Sequence, residues 1–342
     1  MKRFSLLVSL LWLITGPAFP ADAPPKKSAV RFTLPDTVER RSVTIFSDGV
    51  RVAGDLYLPK GLKPDEKLPA IVLCAGTGGT KGGTGGRLGP IFATNGYIAL
   101  AFDYRGWGES DSKLITLDKQ PRPDAKGEVE VKARAVRWQM DFADQSMDIR
   151  AAVSFVAGEP SVDRERIGIW GSSYGGGLVT WTAGNDPRVK CVAAQVPGMG
   201  ARTPQAVARA YDYHVKQSRG EVESVPFETG KMTGKMERYT QMRVNPTKGI
   251  GFNPLEAAAK ISVPAIFIVA ENEELSSNTV VESAYQSVKQ RGIPSAYHVI
   301  KGITHYGVYA EGFAEATSLE LAWFDRHLKA APPALVQPES KP

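Results

Sequence analysis

Cysteine is nearly absent from this sequence: two residues, Cys74 and Cys191, in 342. One pair cannot build a disulfide framework, and both lie in apolar strand-like runs, IVLCAG and VKCVAAQV, so two buried free thiols are expected. No CxxC occurs and the four histidines are scattered. With no ligand set at metal spacing, no metal is expected, nor any organic cofactor. Long hydrophobic runs are missing too. The apolar stretch from Phe4 to Thr15 is too short for an ordinary spanning helix and no later stretch is long enough, so no membrane span is expected once that segment is removed. The glycines between 76 and 89 contain neither G-x-x-x-x-G-K-[ST] nor a complete G-x-G-x-x-G, which argues against a nucleotide-binding loop. The net charge of +6 is spread along the chain rather than gathered in one run, so nucleic acid is not an expected partner. There is no internal repeat, and oligomeric state is not legible.

What is present begins with a leader. Met1-Lys2-Arg3, a short apolar run, and small residues ending in Ala21-Asp22-Ala23 are the pattern of a secretory signal peptide over residues 1–23. An exported protein, periplasmic or secreted, is the expectation; an uncleaved anchor is the alternative. No cysteine follows the run to carry a lipid. Residues 24–39 read as a flexible lead-in, and 331–342 as a disordered tail.

Between them the pattern alternates. Ser42–Phe46 and Val52–Leu58 look like two strands joined by the turn Ser47-Asp48-Gly49. Pro69–Cys74, Tyr97–Phe102, Arg166–Trp170, Val189–Val196, Ala265–Ala270 and Ala296–Ile300 are short apolar runs of the kind buried on both faces of a sheet. Helices are expected between them, most clearly at Phe142–Ala157, where Phe142, Ile149, Val153 and Val156 share one face. The alternation predicts one α/β domain with a mostly parallel sheet covered by helices on both faces. It would run over 40–197, with a polar insertion at 109–140, and over 253–330, the two parts separated by a cap at 198–252.

The stretch IWGSSYGGGL, 169–178, raises a chemical question. A serine hydroxyl becomes a useful nucleophile when a base takes its proton, and a sharp strand-to-helix turn written G-x-S-x-G holds it clear of the sheet. One frame fits: Gly171 and Gly175 flank Ser173 at the right spacing, whereas Ser172 would need glycine where Trp170 and Tyr174 stand. RIGIW before the turn reads as a strand and LVTW after it as helix, which is the setting the motif requires. Of the histidines, His298 lies mid-strand, His327 in the closing helix and His214 in the cap. His305, in KGITHYG after the last strand, is the candidate base. A carboxylate on the loop after the penultimate strand would hold its tautomer, and FIVAENEELS offers Glu271, Glu273 and Glu274 there.

With these residues the chain resembles the α/β-hydrolase superfamily over about residues 40–329. The order serine, acid, histidine matches. DYRGWGES at 103–110 resembles the family's D-x-R-G-x-G-x-S loop after its fourth strand, and GSSYGG resembles elbows of the dienelactone-hydrolase, acetylxylan-esterase and prolyl-oligopeptidase-like branches. The resemblance implies a mostly parallel eight-stranded sheet. Its pattern G-x-x-D-E, laid on AENEE, selects Glu273 as the acid and Glu274 as second choice; glutamate stands where aspartate is more common. The backbone N–H groups of Tyr174, just after the nucleophile, and of Thr77, in the glycine-rich loop after the third strand, would form the oxyanion hole. Trp107, Tyr211 and Tyr213 are candidates both for lining a pocket and for packing. The function implied is cofactor-free hydrolysis of a small-molecule carboxylic ester through an acyl-enzyme. A serine peptidase of prolyl-oligopeptidase type, or a binding protein that kept the fold, are the alternatives.

Overall fold

A computed structural model of the chain describes residues 33–329, apart from 118, 120, 201, 202, 229 and 230. The expected leader at 1–23, the first part of the lead-in and the tail at 331–342 lie outside the described residues.

The first strand, β1 (Val38–Ser47), starts inside the expected lead-in. The run Glu39-Arg40-Arg41 hides its first residues in the sequence, because an edge strand turns charged side chains to water while Val38 is fully buried. A tight turn at Asp48-Gly49, both with positive φ, returns the chain into β2 (Val50–Pro59), paired antiparallel. Then come β3 (Leu68–Cys74), α1 (Gly86–Thr94), β4 (Ile98–Phe102), α2 (Phe142–Gly158), β5 (Val162–Ser172), α3 (Tyr174–Ala183) and β6 (Cys191–Gln195). After these follow α4 (Pro204–Ser218), α5 (Pro254–Ala258), β7 (Ala265–Asn272), α6 (Asn278–Lys289), β8 (Ser295–Thr304) and α7 (Phe313–Phe324).

The eight strands form one sheet in the order β1-β2-β4-β3-β5-β6-β7-β8. The β1–β2 and β2–β4 pairs are antiparallel, and every later pair is parallel. Because side chains alternate along a strand, the apolar runs feed two cores. Val72, Leu100, Ile169 and Phe267 face one way, with Ile149 and Val153 of α2, Leu178 of α3 and Val281 of α6. Ile71, Leu73, Trp170 and Ile268 face the other, with Phe92 of α1 and Phe324 of α7. Burying each large side chain contributes roughly 1.5–3 kcal/mol, so neither face tolerates a shift of register. This is the α/β-hydrolase fold that the sequence predicts.

The two insertions are joined to each other. Leu114–Thr116 and Ala133–Ala135 form an antiparallel ribbon, and Gln139–Met140 pairs in parallel with Arg243–Val244 of the cap. Arg134 of the ribbon lies over the Phe227 ring at 3.7 Å and pairs with Glu228. Within the cap, α4 is capped by the Thr203 hydroxyl with Pro204 at its start, and none of its residues is buried. No helix among the described residues is long and apolar enough to cross a membrane.

Candidate active site

β5 ends at Ser172 and α3 begins at Tyr174, leaving Ser173 to make the turn at φ 56 and ψ −117. A side-chain-bearing residue adopts that geometry at a cost and keeps it when its surroundings impose it. Here the Ser173 N–H donates to the Gln195 carbonyl at 2.9 Å, and the Ser173 carbonyl accepts from the Gly198 N–H at 2.7 Å. The flanking glycines are required by space. A Cβ on Gly171 would stand 2.4 Å from the Gly175 carbonyl oxygen, and one on Gly175 2.2 Å from that of Cys74.

The neighbouring serine has a different fate. The buried Ser172 Oγ accepts from Gln195 Nε2 at 2.8 Å and shares a 2.6 Å hydrogen bond with the Tyr309 hydroxyl.

The Ser173 Oγ lies 2.9 Å from His305 Nε2. The other ring nitrogen, Nδ1, is 2.8 and 2.9 Å from the two carboxylate oxygens of Glu273. Glu273 stands just beyond β7 and is held in turn by the backbone N–H groups of Leu275 and Ser276, at 2.8 and 3.0 Å. Burial raises its carboxyl pKa, but His305 and the two N–H donors outweigh burial and leave it below the ordinary glutamate value. The other two glutamates have separate partners. Glu274 accepts the backbone N–H of His305 at 2.9 Å. Glu271 is exposed and takes Lys301 Nζ at 2.9 Å and the Gly302 N–H at 2.8 Å. The remaining histidines lie elsewhere: His298 pairs with Glu315, His327 packs on Trp323, and His214 is exposed on α4.

Tyr174 opens α3, so its N–H belongs to the first turn, where no carbonyl of the helix can accept it. The loop after β3 passes close by: a Cβ on Gly76 would be 3.3 Å from Ser173 Cβ, and Thr77 is the next residue, in a turn closed by the Gly79 N–H on the Gly76 carbonyl at 3.0 Å. Trp107 proves to be core, fully buried against Tyr104 and Tyr174 with its indole N–H on the Gln139 carbonyl at 2.8 Å. Tyr211 is exposed on α4, and Tyr213 faces a groove beside Pro246.

Several residues near the histidine were not anticipated. The Tyr306 ring stands edge-on to that of His305, with centroids 5.2 Å apart. Its hydroxyl is 3.4 Å from that of Tyr239, whose ring packs against Gly78. Arg238 lies over Tyr306. Tyr306 and Tyr309 share the turn of His305, a hint available in the sequence; nothing in the spacing links 236–241 to that turn. A separate cavity of about 200 Å³ lies between the insertion, the cap and the start of α2, and is lined by Arg105, Lys113, Asp141, Asp144, Asn245 and Lys248 among others. Neither Ser173 nor His305 is in its wall.

Known proteins share this architecture. The acetyl xylan esterase family model matches residues 36–207, and the prolyl oligopeptidase family model matches 139–331. An uncharacterized 31.7 kDa protein from the traX-finO intergenic region of Escherichia coli is 25% identical over 298 residues, covering 77% of this chain and 92% of that one. Among solved structures, the hypothetical protein PA2218 of Pseudomonas aeruginosa superimposes with a TM-score of 0.65 at 22% identity, over 89% of this chain and 98% of its own. The α/β hydrolase GrgF of a Penicillium species gives 0.66 at 18%, over 85% and 99%. By these matches the chain belongs to the α/β-hydrolase superfamily of serine hydrolases and is an enzyme acting on ester or similar bonds.

Proposed function

We propose that this protein is a serine esterase that cleaves carboxylic esters through an acyl-enzyme. The observation carrying the reading is the line of contacts from Glu273 through His305 to Ser173, at 2.8 and 2.9 Å, on a strained elbow. His305 takes the proton of Ser173 as its oxygen attacks the ester carbonyl. Glu273 holds Nδ1–H, fixing the tautomer and stabilising the imidazolium. The N–H groups of Tyr174 and Thr77 receive the oxyanion, each worth roughly 3 kcal/mol of the barrier. His305 then gives the proton to the departing alcohol, and water releases the acyl group by the reverse steps. Every step is carried by side chains and backbone, without a cofactor. The basic, then apolar, then small-residue start supports export to the periplasm or beyond, which sequencing the N-terminus of the mature protein would test.

The deciding experiment is hydrolysis of p-nitrophenyl acetate, butyrate and octanoate beside Ser173→Ala. Activity should fall by a factor of roughly 10⁴ or more in the variant. Activity that survives the substitution sinks the reading. The prolyl oligopeptidase match favours a peptidase as the second reading; cleavage of acyl-alanyl p-nitroanilides well above that of the matched esters would select it.

A further inference from the structure

The cap segment around Tyr239 bridges the two loops that flank Ser173. The Tyr239 ring packs on Gly78, next to Thr77, and its hydroxyl meets that of Tyr306, next to His305. Arg238 lies on this bridge. Its guanidinium carbon is 3.5 Å from the centroid of the Tyr306 ring and 5.3 Å from that of Tyr239.

Several exposed arginines of the chain have acidic partners, while others, such as Arg137 and Arg164, bond to backbone carbonyls. Arg41, Arg51, Arg134 and Arg219 each sit in an ion pair. Arg238 has none among the described residues, and the groups acting on its charge are two phenols. Tyr306 is pushed up to about 12, first by burial and then by Tyr239, and so stays neutral beside it. No carboxylate among the described residues lies at ion-pair distance from this charge. The Tyr306 ring covers one flat face of the guanidinium, and the hydroxyls of Tyr306 and Tyr239 are its hydrogen-bonding neighbours, two acceptors for a group with five N–H donors. A stacked guanidinium has already lost much of its freedom and presents a planar fork that matches a carboxylate.

Resting on the ester reading above, we propose that Arg238 receives a carboxylate carried by the substrate, and that the enzyme prefers anionic esters such as half-esters of dicarboxylic acids. In this arrangement the phenols of Tyr239 and Tyr306, which meet the loop of Thr77 and the turn of His305, would line the substrate's path to the serine, with Arg238 at its outer end. The distance from reacting carbonyl to carboxylate would then be set by the Tyr306 ring between His305 and Arg238.

The test pairs two substrates of equal chain length, the p-nitrophenyl monoester of glutaric acid and p-nitrophenyl valerate. For wild type, the kcat/KM ratio of anionic to neutral ester should exceed one and fall as salt is raised. Arg238→Gln should lower that ratio by about tenfold, the loss falling on KM of the anionic ester, and Arg238→Lys should restore part of it. A ratio that Arg238→Gln leaves unchanged overturns the proposal, whatever happens to the separate rates. Should wild type hydrolyse neither ester, the ester reading itself fails. Calorimetric titration of monomethyl glutarate then decides the anion site: binding to wild type and not to Arg238→Gln supports it, and equal or absent binding to both refutes it.

Discussion

At Ser173 the backbone is held at φ 56 while one residue earlier Ser172 completes a strand, and that difference sends two identical side chains in different directions. Ser173 Oγ meets His305, and Ser172 Oγ meets Gln195 and Tyr309 in the interior. Because His305 and Tyr309 open and close one short turn, the same turn grips both serines. Ser172→Ala should keep reactivity toward a fluorophosphonate probe but lose about 1–3 kcal/mol of stability in denaturant titration, since it leaves Gln195 and Tyr309 without a partner. Ser173→Ala should show the reverse pattern. Among the acids, Glu273→Gln should lower kcat by on the order of 10³–10⁴, because an amide no longer selects the needed tautomer. Glu274→Gln, which meets the backbone N–H of His305 rather than its ring, should cost far less. A steady-state comparison of the two variants ranks them. The depressed pKa of Glu273 also gives a stability contribution present above the ordinary glutamate range and lost as pH falls through its folded value. The stability gap between wild type and Glu273→Gln should therefore close in acid.

On the scale of elements, the parallel pairing of β7 with β8 brings Glu273 and His305 together. Asn272 is opposite Thr304, after a shift in register beyond Ala270, so the next residues, Glu273 and His305, come side by side. The other face of the sheet bears a cost under the elbow. Glu320 of α7 is fully buried with no hydrogen-bond partner on either oxygen among the described residues. Burial raises its pKa to about 8, and the nearby Trp170 indole offsets only part of that. The folded chain thus keeps this proton where the unfolded chain has released it. Stability should fall as pH rises from the ordinary glutamate value to about 8, and level off above it. Glu320→Gln should flatten that slope in thermal melts across the window; an identical slope in both proteins would show that Glu320 is not the group responsible.

Across the whole molecule, one carboxylate ties the accessory layers to the core. Asp144, in the first turn of α2, is within 3.3 Å of Lys248 from the cap and 3.9 Å of Lys113 from the insertion, with Arg105 at 3.8 Å. Burial opposes its ionisation, but Lys248, Arg105 and Lys113 together hold its pKa below the usual aspartate value. This attachment is complete above the ordinary aspartate range and is lost as pH falls through the folded value. Asp144→Asn should make residues 198–252 more sensitive to limited proteolysis at neutral pH while the sheet remains resistant. Cleavage patterns that match wild type would place the attachment elsewhere, at the Lys248–Asp141 pair or the Gln139–Arg243 pairing.

Local chemistry was enough to read most of the sheet's strands and the turn that sets Ser173 apart from Ser172. Apolar alternation and glycine spacing act between near neighbours, so the order of residues expresses them directly. The sequence also proposed His305, as a loop histidine in the right chain order, and left three glutamates for the acid. Their three separate partners depend on the register of two strands and a shift within it, which no local pattern encodes. The start of the edge strand, Val38 to Arg41, was hidden because its charged side chains face water. The bridge of Arg238, Tyr239 and Tyr306 was out of reach for the same kind of reason: cap and histidine turn are far apart in the chain, and only the packed fold brings a guanidinium onto the ring beside His305.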